Sequence, residues 1–64
     1  MSDINWRDIE EDHSIFDASN KHREILVETD VTLRIDWAKH VHYNRGDYEL
    51  RTVEEKVLRY AFIN

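Results

Sequence analysis

From Ile25 onward a series of apolar residues falls on odd positions: Ile25, Val27, Val31, Leu33, Ile35, Trp37, Val41 and Tyr43, with Thr29 in the same series. A period of two carried by β-branched and aromatic side chains predicts strands. Fully extended, residues 25–43 would reach about 60 Å, far beyond the size of so small a domain, so the run must fold back. A turn is expected at Glu28-Thr29-Asp30. A three-residue loop there keeps the odd positions facing one way, whereas a two-residue hairpin would reverse them. Lys39 marks a second interruption, read as a bulge.

Asn44-Arg45-Gly46-Asp47 concentrates turn formers around the only glycine of the chain. Beyond it the apolar positions become even, Tyr48 and Leu50, which predicts a hairpin pairing Tyr43 with Tyr48 and Val41 with Leu50.

Both ends follow a different rhythm. Trp6, Ile9, His13 and Phe16 recur at three, four and three, one stripe of a helix over residues 3–17 capped by Ser2 or Asp3; Ile4 and Ile15 fall outside the stripe. Thr52-Val53-Glu54-Glu55 has the form of a capping box, and Val53, Val57, Tyr60 and Ala61 share a helical face, which predicts a helix over residues 53–63. The expectation is an α+β fold in one domain spanning 1–64: an N-terminal helix, an antiparallel β-meander over 24–51, and a C-terminal helix.

The chain has 64 residues, no cysteine and no proline. A domain this short buries only about 60% of its unfolded surface, and disulfide or thiolate-zinc reinforcement is excluded, so self-association as a homodimer is expected to help. Absence of cysteine also points to a reducing, cytoplasmic setting. Apolar runs such as Ile25-Leu26-Val27 are too short to span a bilayer, and the first residues lack the basic and apolar regions of a secretory signal.

Charge then singles out the N-terminal segment. The formal net charge is −5; residues 1–17 hold Asp3, Asp8, Glu10, Glu11, Asp12 and Asp17 against Arg7 alone, while the remainder is balanced. On a helix, Asp8, Glu10, Glu11, Asp12 and Asp17 would spread over the face opposite the apolar stripe and attract a protein with a basic surface. The expected function is therefore a small acidic protein-protein interaction module, an inhibitor or regulator whose acidic helix acts as a nucleic-acid mimic. The alternatives are direct nucleic-acid binding by Arg34, Lys39, Arg45, Arg51, Arg59 and the hairpin tyrosines, which the acidic balance opposes, and a subunit of an oligomeric enzyme.

No catalytic constellation is expected: there is no thiol, and Ser14 and Ser19 lack a glycine elbow. His40 and His42 on one strand face, with Glu49 opposite His42, outline a two-histidine, one-carboxylate arrangement, but Arg51 opposite His40 would repel a cation. Neither metal nor cofactor is expected. Arg45-Gly46-Asp47 is read as the turn itself.

Overall fold

The computed structural model describes residues 4–63. Its strands are β1 (Arg7–Asp8), β2 (Glu24–Thr29), β3 (Leu33–Trp37), β4 (Val41–Asn44), β5 (Asp47–Leu50) and β6 (Glu55–Phe62). The helical pieces among the described residues are three short 3-10 turns, Ser14–Phe16, Ala18–Asn20 and Ala38–His40. One antiparallel sheet of order β3-β2-β6-β5-β4, with β1 also on β6, curls into a half-barrel. The expected α+β fold is thus corrected to an all-β one: among the described residues neither the helix expected over 3–17 nor the one expected over 53–63 is present.

The C-terminal error has a local cause. Along β6 the register slips, so that Glu28 pairs with Arg59 but Thr29 pairs with Val57, and Leu58 is left over as a bulge. A bulge lets Val57 and Tyr60 both face the core three positions apart, imitating a helical spacing. The supposed capping pair works at long range instead. Thr52 Oγ1 donates to Asp36 Oδ2 at 2.9 Å, and Glu55 accepts from Thr29 Oγ1 at 2.6 Å and from Arg34 Nη2 at 3.3 Å. Glu54, at a φ of 56°, reverses the chain between β5 and β6.

At the N-terminus a single turn forms, in which the Asp8 carbonyl accepts from the amides of Glu11 and Asp12. The turn does not continue, because Ile9 and Ile15 are both buried in the core while Trp6 lies on the far side of the sheet against Arg59. The expected cap at Ser2 or Asp3 lies outside the described residues.

The central hairpin has the expected register, Tyr43 with Tyr48 and Val41 with Leu50. Asn44 also pairs with Asp47, so the loop proper is Arg45-Gly46, with φ of 53° and 90°. Two consecutive positive values match the twist of the strands, and glycine takes the second at little cost.

The first hairpin differs from expectation. Glu28 pairs with Leu33 and Leu26 with Ile35, so odd positions on β2 meet even positions on β3. Thr29 sets this: its amide donates to the Thr32 carbonyl, and its hydroxyl accepts from the amides of Val31 and Thr32, closing a four-residue loop. Parity reverses across the turn. Ile25 and Val27 enter the core with Ile9, Ile15, Ala38, Val41, Leu50, Val57 and Tyr60, while Leu33, Ile35 and Trp37 face outward.

Candidate interaction surface

Asp8, Glu10, Glu11 and Asp17 are exposed, and no helix aligns them. Asp12 is committed to the fold. Its carboxylate accepts from the Ser14 hydroxyl at 2.6 Å, the Ser14 amide at 3.0 Å and Arg7 Nη1 at 2.8 Å. These donors, the Ser14 hydroxyl foremost, hold the carboxyl well below the usual range despite the cost of burial. The Tyr60 hydroxyl donates to the Asp12 carbonyl at 3.0 Å and lies 3.2 Å from the Ser14 hydroxyl. Burial foremost, with the Asp12 charge adding to it, raises the Tyr60 pKa against the lowering effect of Ser14.

The basic residues gather no better. Arg34 points inward to Glu55, whereas Arg59 lies on the outer face, 2.6 Å from Glu28 and stacked over Trp6. The two imidazoles also diverge: His40 Nδ1 is 2.5 Å from Asp36 Oδ1, and His42 Nε2 is 3.9 Å from Glu49 Oε1. Among the described residues no three ligating side chains come together. The Asp36 carboxyl loses solvation on burial, but hydrogen bonds from His40, the Trp37 amide and Thr52 outweigh this and keep it below the usual range.

Tyr48 organises an open aromatic basin. It stacks on Phe16 at 5.8 Å and meets Tyr43 edge-on at 5.0 Å, and its hydroxyl is 3.0 Å from His13 Nε2. These rings partner one another between the N-terminal segment and the β4-β5 hairpin.

The outer face of the sheet is different, since its apolar groups have little to cover them. Leu33 is 54% exposed, Ile35 61%, Trp37 42% and Ile63 50%. Their alignment follows from the register: Leu26 lies between Ile35 and Ala61, and the Ile63 amide donates to the Glu24 carbonyl at 3.2 Å, extending the same face. Glu24 and Glu28 on β2 and Asp8 on β1 frame this apolar centre with carboxylates, and Arg59 is the cation among them. β3 is moreover an edge strand, carrying neither proline nor lysine. A contiguous apolar surface next to a sheet edge is what folded monomers avoid and binding surfaces display. Sequence reasoning missed this site because it placed all the odd positions on one buried face; the polar flanks Asp30 and Thr32 around Val31 were the local sign of the longer loop.

No family model, curated protein or solved structure matches this chain. Among the described residues no helix is long and apolar enough to cross a membrane.

Proposed function

We propose that this chain is a small acidic protein-interaction module, a regulator rather than a catalyst, which engages its partner through the outer sheet face at β2 and β3. The observation that carries this reading is the exposure of Leu33, Ile35 and Trp37 side by side on an edge strand. Their burial would contribute on the order of 25 cal/mol per Å², whereas exposed carboxylates chiefly raise the rate of encounter. The partner's contact surface is accordingly apolar at its centre and basic at its rim, to match Glu24, Glu28 and Asp8. Exposed Glu10, Glu11 and Asp17 extend the negative field that draws it in. A cytoplasmic setting is part of the proposal and rests on the cysteine-free composition alone.

The test is Leu33→Lys combined with Ile35→Lys, compared with the parent for complexes recovered from the producing cell at low and at high salt. The parent's complex should survive high salt, because apolar contacts are not screened. The variant should remain folded and lose the complex at both salt concentrations. A complex indifferent to the two lysines, yet abolished by salt, would return the contact to the acidic segment.

A further inference from the structure

We infer that the edge of β3 is a self-complementary seam at which a second copy of this chain pairs antiparallel, two-fold about Ile35. The inference rests on the outer face being a binding surface, and it assigns the backbone edge of that face to a second copy, apart from the basic-rimmed partner of the face itself.

Backbone geometry selects which groups are available. Where β3 meets β2, the Thr29 amide donates to the Thr32 carbonyl and the Ala38 amide donates to the Arg23 carbonyl. Antiparallel ladders alternate, so even positions of β3 turn their polar groups toward β2, while Leu33, Ile35 and Trp37 turn theirs away from the sheet. The edge therefore offers a donor and an acceptor at Ile35, a donor at Leu33 and an acceptor at Trp37. The Trp37 amide itself is occupied, donating to Asp36 Oδ1 at 2.7 Å.

Only odd positions can exchange hydrogen bonds across such a seam, which leaves few registers. With the two-fold axis at Ile35, Ile35 meets its own copy and Leu33 meets Trp37 of the second copy. That register places Arg34 opposite Asp36 of the second copy, and by symmetry does so twice. Shifting by one step in either direction sets Arg34 opposite Arg34 or Asp36 opposite Asp36, like charges directly across a ladder, which destabilise it. The order Leu33-Arg34-Ile35-Asp36-Trp37 is thus charge-complementary to itself in one register, as an isologous interface requires.

Other features of the structure agree. Arg34 makes a single 3.3 Å bond to Glu55, through Nη2, and is part-exposed. Across the seam the exposed side chains of the two copies would lie next to one another, Ile35 beside Ile35 and Leu33 beside Trp37, covering apolar surface that this chain leaves open. The unoccupied groups at Ile35 and Leu33 form four seam hydrogen bonds with no rearrangement; release of the Trp37 amide by Asp36 adds two.

Single-cysteine variants of the full chain test the register, since the parent has no thiol. A hydrogen-bonded antiparallel pair holds its Cα atoms about 5.5 Å apart and its Cβ atoms at the far end of the cross-strand range of about 4.5–5.5 Å, too far for an unstrained disulfide but within reach of a short bis-maleimide linker. Ile35→Cys should bridge with that linker and double in mass on a denaturing gel. Leu33→Cys alone should not, because its equivalent lies about 13 Å further along the seam. An equimolar mixture of Leu33→Cys and Trp37→Cys should bridge. Circular dichroism of the reduced variants, matching the parent, establishes that each is folded. Absence of a bridge in folded Ile35→Cys, or equal bridging by Leu33→Cys alone, overturns the seam. Either result leaves the outer face as a binding surface open to its own test with the paired lysine variant, so the two failures are distinguishable.

Discussion

Tyr60 shows how much of this small fold depends on single side chains. Its ring is fully buried and packs edge-on against Phe62, while its hydroxyl reaches Asp12 and Ser14 in the N-terminal segment. One residue thereby joins the centre of β6 to a segment that has little regular structure of its own. Tyr60→Phe removes only the oxygen, leaving the Asp12 carbonyl and the Ser14 hydroxyl short of a partner, and should cost about 1–2 kcal/mol in urea unfolding. An unchanged midpoint would show that the N-terminal segment is held by apolar contacts alone. At this scale the sequence was only partly legible. Asp12 looked like any other acid in a charged run, and what sets it apart, Ser14 two positions on and Tyr60 far along the chain, becomes visible only once the fold brings them together.

Elements were legible where local rules decide them and misread where tertiary contacts override them. The β4-β5 hairpin followed from Asn44-Arg45-Gly46-Asp47 and the change of parity, both local signals. β6 was misread because one bulged residue changes a period of two into an apparent helical one. β3 was misread because the Thr29 hydroxyl lengthens the turn by one residue and turns three apolar side chains to the opposite face. Two carboxylates tie these elements together: Asp12 links the N-terminal segment to β6, and Asp36 links β3 to the turn before β6 and to His40. Both titrate below their ordinary value of 3.8 in the folded chain. Their stabilisation is therefore fully present above about pH 4, and it is lost as pH falls through the ordinary value toward the lowered folded ones, because the unfolded chain binds protons first. Melting curves recorded from about pH 6 down to about pH 2 should show this decline, and it should be shallower in Asp12→Asn and in Asp36→Asn. A decline equally steep in both variants would assign acid unfolding to other groups.

For the molecule as a whole, the half-barrel buries one face of its sheet and leaves the other apolar but open. Composition gave warning of this in general terms, since a chain of this length with two tryptophans carries more apolar surface than a small core can use. It could not say which residues would be left over, because that depends on the parity of a single turn. The proposed binding surface therefore lies at β3, and in that proposal the acidic N-terminal segment has a secondary, steering role. A photo-activated cross-linking side chain introduced at position 35, and separately at position 10, in the cell that makes the protein, tests this placement most directly. Irradiation should give a discrete adduct from position 35 and none from position 10, whether the captured chain is a second copy or another protein. An adduct from position 10 with none from position 35 would contradict the account and put the partner on the acidic segment.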